Sequence, residues 1–131
     1  MTGDSARHRA AVLDGVTLES LASSLGGGEH GWGFVRELID TLLDDGPAQL
    51  EVLRAALERG DASETRRAAH TLKSHGATFG AGSFSDLCRE IETLSREGAL
   101  GRALEVLPGA EDEWLCVRAE LAAARQWSDP T

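Results

Sequence analysis

The chain has 131 residues, 41% hydrophobic and 27% charged, which fits one soluble domain with room for a real core and excludes a disordered polymer. A net charge of −9 argues against nucleic acid or an anionic membrane as a general partner. No apolar run is long enough to cross a bilayer and the start, MTGDSARHR, has no signal-peptide core, so the expected location is the cytoplasm.

Residues 1–14 are expected to form a flexible N-terminus. Thr17 is then placed as the cap of a short helix through Leu18, Leu21 and Leu25, stopped by Gly26-Gly27-Gly28. Trp32, Val35, Ile39 and Leu42 recur at three-and-four spacing, and the seam resumes at Leu50, Leu53 and Leu57. Pro47 sits between the halves. We read one long helix to Arg59; two helices joined by a short break are the alternative.

Gly60-Asp61 makes the next turn, and Asp61 with Glu64 resembles a capping box opening a third helix from about Ala62 to Phe79. After Gly80–Gly82, Ser83 with Asp86 is expected to open a fourth helix with Phe84, Leu87, Cys88, Ile91 and Leu94 inward and Gly98 at its end. A fifth segment carries Leu100, Ala103, Leu104 and Leu107 up to Pro108-Gly109. A last helix uses Trp114, Val117, Leu121 and Ala124, before a tail over 128–131. No strand-type alternation is sustained anywhere. The fold class is all-α: an antiparallel bundle with a four-helix core, a long helical hairpin and additional short helices, domain bounds 15–127. Cys88 and Cys116 fall in helical apolar patterns at no metal-ligand spacing, and are expected to be buried free thiols.

On a wheel of about 100° per residue the third helix has two faces. Thr65, Ala68, Leu72, Gly76 and Phe79 form a core stripe, and His70 points to solvent on the other side. Arg66 and Arg67 lie one turn before it, Lys73 and Ser74 one turn after, with the small Ser63 and Ala77 two turns away. A neutral imidazole is a nucleophile near neutral pH; a phosphoryl group on it would be anionic and could pair with these cations. Lys73 is expected to stabilise phosphate and Arg66 and Arg67 to attract acidic partners. The wheel alone also describes an ordinary solvated face.

The string AHTLKSHGATFGA, Ala69 to Ala81, resembles the phosphoacceptor motif of histidine-phosphotransfer (HPt) domains: His-x-Leu-Lys-Gly/Ser, small residues, then an apolar residue, Gly and Ala. Leu87 to Glu92, Arg96 and Gly98 downstream, and Gly60-Asp61 with Arg67-Ala68-Ala69 upstream, are also similar to the family, over about residues 30 to 107. The resemblance implies a bundle displaying His70, which accepts phosphate from, and donates it to, a receiver-domain aspartate, or takes it from a histidine kinase. It implies that the partner supplies Mg²⁺ and most catalytic groups. The module itself would bind no metal or other cofactor, have no ATP site and be no enzyme alone. Glu92 resembles the glutamate that hydrogen-bonds the acceptor imidazole in chemotaxis-kinase phosphotransfer domains; an exposed acid on the fourth helix is the alternative. His75 replaces the family's small polar residue and, at about 140° from His70 on the wheel, is read as a packing or hydrogen-bonding side chain. His8 and His30 are placed in terminal or loop positions without a role.

A helical interaction protein is the main rival; a solvent-facing apolar stripe on a second side of a helix would mark it, with Trp32 and Trp114 the first residues to inspect. A metal-binding bundle fits poorly, since His70 and His75 are five residues apart. Met1 leans towards a free-standing protein over a module of a larger kinase, and a monomer is the simplest assembly.

Overall fold

A computed structural model describes residues 15–24 and 26–126. Five helices follow in order: α1 (Gly15–Ser24), α2 (Gly28–Glu58), α3 (Ala62–Thr78), α4 (Gly82–Arg96) and α5 (Leu100–Ala124). The long elements run up and down as a four-helix bundle. α3 packs against α4 and α2, and α5 against α4 and α2, with α1 resting on α2. The expected N-terminal and C-terminal segments, 1–14 and 128–131, lie outside the described residues, as do His8 and Leu25.

The turns share one chemistry. Gly60, Gly80 and Gly98 each adopt a positive φ, of 74°, 72° and 79°. Such a residue lets the next amide reach back to the helix it has just left. Asp61 N–H donates to the Ala56 carbonyl at 2.9 Å, Ala81 to Gly76 at 2.8 Å and Ala99 to Leu94 at 2.8 Å. The same three residues then accept the first bonds of the following helices, from Thr65, Ser85 and Ala103. One residue thus closes each helix and opens the next, so the hairpins are tight and antiparallel.

Only some of the expected boundaries stand. Asp61 caps α3 as its spacing predicts, its carboxylate accepting from Glu64 N–H at 3.0 Å. Ser83 does not cap α4, which starts earlier at Gly82 with Ala81 in the cap position and no side-chain bond. Thr17 likewise lies inside α1. His30 is in the first turns of α2, edge-on to Phe34, and not in a loop.

Neither proline breaks its helix. Pro47 lies within α2, in agreement with one long helix, but Pro108 also lies within α5, so the fifth and sixth segments are one helix. Packing outweighs the lost bond: Ala103, Leu107, Ala110, Trp114, Val117, Leu121 and Ala124 form a seam unbroken across the proline. Pro108 itself is exposed. That seam also explains two residues placed wrongly from sequence. Leu104 and Cys116 fall off it and are exposed, whereas Cys88 is fully buried.

The core joins all five helices, with Val35, Ile39, Leu53, Leu72, Phe84, Ile91, Leu107 and Leu121 among its most buried members. Glycines set helix spacing. A Cβ on Gly46 would sit 2.4 Å from the Trp114 ring, so the indole carried by α5 lies directly against the α2 backbone there. A Cβ on Gly76 would lie 3.2 Å from Phe84 and Ser85, which brings α3 close to α4 just past His70. No helix of the described residues is long and apolar enough to span a membrane.

Candidate functional site

The close α3–α4 contact decides the chemistry of the exposed face. Thr65, Ala68, Leu72, Gly76 and Phe79 are buried as the wheel predicts, which turns His70 outward with its side chain 60% exposed. Ser85 strengthens the seam by donating its hydroxyl to the Lys73 carbonyl at 3.0 Å. On α4, Ile91 and Leu94 face the core and Glu92 is carried into the α3–α4 seam, its side chain only 7% exposed.

Three groups converge on the Glu92 carboxylate. Nδ1 of His70 lies 3.0 Å from Oε2, Lys73 Nζ lies 2.8 Å from Oε1, and Arg96 Nη2 lies 3.4 Å from Oε2. Burial pushes the Glu92 carboxyl up, but the hydrogen bonds from Lys73 and His70 and their charges more than compensate, and it is held below the ordinary carboxylate range. It is therefore a buried anion with partners. An ionised carboxylate accepts only, so Nδ1 of His70 carries the hydrogen, and in the neutral imidazole the lone pair is then on Nε2. The exposed-acid alternative for Glu92 does not survive this geometry.

His70 borders a shallow hollow lined also by Ser63, Arg66, Arg67, Thr71, Glu92 and Arg96. Arg66 and Arg67 are exposed there, Arg67 pairing with Glu64 at 3.1 Å. Lys73 is on the same helix face but half-buried against Glu92, a more fixed position than a solvated collar suggests. Ser74 and Ala77 are exposed and lie outside this hollow. Arg96 is the cation that the helix wheel of α3 could not supply, since it comes from α4. Its signal was its place four residues after Glu92, on the same face of one helix.

His75 takes no part in the hollow. Its Nε2 lies 2.7 Å from Asp45 Oδ2 on α2, a cross-helix bond that suits the hydrogen-bonding role expected of it. Trp32 and Trp114 are buried, so neither belongs to a solvent-facing apolar stripe. Among the described residues no group of three or more His, Cys, Asp or Glu side chains could hold a metal ion.

A four-helix bundle that holds the exposed His70 by its inner nitrogen, beside a shallow hollow lined with cations, suits the carrying of an anionic group. The comparisons with known proteins agree. The model of the Hpt domain family matches residues 37–127. The crystal structure of histidine-containing phosphotransfer protein B (HptB) from Pseudomonas aeruginosa PAO1 is similar, at 32% identity and a TM-score of 0.79, over 89% of this chain and 96% of that one. No curated protein sequence matches significantly. The chain belongs to the Hpt domain family, and its role is histidine phosphotransfer in two-component phosphorelays.

Proposed function

We propose that His70 is the phosphoacceptor and that Nε2 is the nitrogen that takes the phosphoryl group, from a receiver-domain aspartate or a sensor kinase. The observation that carries this is the bond from Nδ1 to the buried Glu92, which fixes the ring and leaves Nε2 as the free nucleophile on the solvent side. Glu92 orients the imidazole. Lys73 and Arg96, held on the same carboxylate, supply positive charge beside the ring, and Arg66 and Arg67 line the approach. Ser74 and Ala77 extend the small-residue surface on which a partner docks.

In this reading the protein is a relay intermediate without its own catalytic power, acting as a monomer in the cytoplasm. Mg²⁺ and most of the catalytic groups belong to the receiver. Domain bounds of 15–127 contain every residue of the site.

The test is incubation with a phosphorylated receiver, or with a cognate kinase and ATP. His70 should acquire label that is lost in acid and kept in alkali, and His70→Gln should abolish it with helical content unchanged. Label that survives His70→Gln would overturn the assignment.

A further inference from the structure

The bond between Nδ1 and Glu92 has a consequence for the phosphorylated state. When Nε2 attacks phosphorus, its lone pair becomes the P–N bond and the bond from phosphorus to the donor oxygen or nitrogen breaks. The ring still carries the hydrogen on Nδ1 and is now cationic. It becomes neutral only if that proton leaves.

The cations of the hollow favour its departure, but the Glu92 carboxylate on Nδ1 and the negative charge of the phosphoryl group on Nε2 oppose it. Nδ1 faces Glu92 at 3.0 Å, and the Glu92 side chain is 7% exposed. Were Glu92 to take the proton, a neutral acid would stand between Lys73 at 2.8 Å and Arg96 at 3.4 Å, two cations that favour the anion. The charged groups around the pair are Lys73, Arg66 and Arg67 from α3 and Arg96 from α4. Among the described residues, no ionic side chain of α2 or α5 pairs with the carboxylate.

We infer that Glu92 keeps Nδ1 protonated after phosphorylation, so that phospho-His70 is held as an imidazolium, a short-lived state poised to give its phosphoryl group away. This rests on His70 being the phosphoacceptor. When an acceptor oxygen attacks phosphorus, the P–N electron pair returns to Nε2 and a neutral imidazole departs, a better leaving group than the anion a neutral ring would become. Glu92 acts here as a positioning residue, through the ring and not on phosphorus.

The experiment uses phosphoramidate as a small phosphodonor; phosphorus passes to Nε2 and ammonia leaves. After the reagent is removed, loss of phosphate from His70 is followed across pH in the wild-type protein and in Glu92→Gln, which keeps an acceptor oxygen and the side-chain shape. Loss accelerates where the ring becomes protonated. The wild-type acid limb should lie about one pH unit or more above that of Glu92→Gln, giving about tenfold faster loss near neutral pH. A merely structural role would alter how much phosphate is taken up, not the pH at which lability begins.

Nitrogen NMR of the phosphorylated wild-type protein reads the same point without a variant: Nδ1 should be protonated near neutral pH. Coincident acid limbs, or a bare Nδ1 in the phosphorylated wild-type protein, would overturn the inference. If Glu92→Gln fails to fold or to accept phosphate, the NMR measurement decides alone. Absence of any phosphate on wild-type His70 would instead remove the phosphoacceptor assignment.

Discussion

The same substitution at two helical glycines should have opposite effects on stability. At Gly46 in α2, an added methyl would lie 2.4, 2.7 and 2.9 Å from three ring atoms of Trp114. Carbon atoms pack at about 3.5–4.0 Å, so the ring must retreat by about 1 Å. It has little room, being 4% exposed and tilted against Phe84 with centroids 5.8 Å apart. Overpacking of this kind costs about 1–3 kcal/mol, and a rigid buried ring places it at the upper end. Replacing a helical glycine returns about 1 kcal/mol, so Gly46→Ala should destabilise the fold by about 2 kcal/mol. At Gly109 in α5 the nearest atom a Cβ would meet is Leu87 Cδ2 at 4.0 Å, an ordinary contact. There the helical gain is unopposed, and Gly109→Ala should stabilise by about 0.5–1 kcal/mol. Urea titration followed by helical circular dichroism measures both; the Gly46→Ala midpoint should fall by about 1 M at a typical slope. A Gly46→Ala protein as stable as the wild type would refute the seating of the Trp114 ring against α2, and a destabilised Gly109→Ala would refute the continuity of α5 past Pro108.

Other outcomes follow from single contacts. Because the Glu92 carboxyl is held below its ordinary value, it contributes stability that is complete above the unfolded-state value and lost as pH falls through the folded one. Glu92→Gln should therefore flatten the acid limb of stability against pH, and an unchanged slope would contradict an ionised Glu92 carboxylate. Burial pushes the Cys88 thiol up to about 12, whereas Cys116 is exposed. A thiol reagent at mildly alkaline pH should modify Cys116 alone in the native protein and both residues in denaturant; fast native modification of Cys88 would contradict the core. Lys73→Ala should slow phosphotransfer without unfolding the bundle, and unchanged transfer rates would show that its charge does not assist the reaction. Asp61→Ala should speed hydrogen exchange of the Glu64 amide, which loses its acceptor at 3.0 Å.

What could be read from sequence divides along a physical line. Helical periodicity is a property of one segment, so the core stripe of α3 and the outward turn of His70 were legible from residues 62–79 alone. The glycine-ended turns were legible for the same reason. Pro108 misled because its local effect, a missing donor, was weighed without the apolar seam on both sides of it. Cys116 misled in a similar way: it lies near apolar residues in the chain but off the seam that α5 buries. Glu92 and Arg96 needed the register between two helices. Nothing within α4 says that position 92 meets position 70; the small Gly76 against Phe84 and Ser85 fixes that register, and the resemblance to known phosphotransfer domains stood in for it.

That register also settles how an acidic protein presents a basic site. The chain carries a net −9, yet the hollow beside His70 gathers Arg66, Arg67 and Arg96, with Lys73 behind the ring, against the one buried carboxylate of Glu92. At physiological ionic strength, exposed charges beyond about 8 Å are largely screened, so if His70 is the phosphoacceptor, as proposed, an arriving phosphoryl group feels this cluster and not the total. Glu92 spends its charge on Nδ1, Lys73 and Arg96. The cations keep the carboxylate ionised, the carboxylate keeps the hydrogen on Nδ1, and the neutral ring then has its lone pair on Nε2, the nucleophile of the proposed reading. Removal of Glu92 would thus strip the ring of its orientation while leaving the approach more positive. Binding of a phosphorylated partner and transfer of its phosphate should therefore separate in that variant.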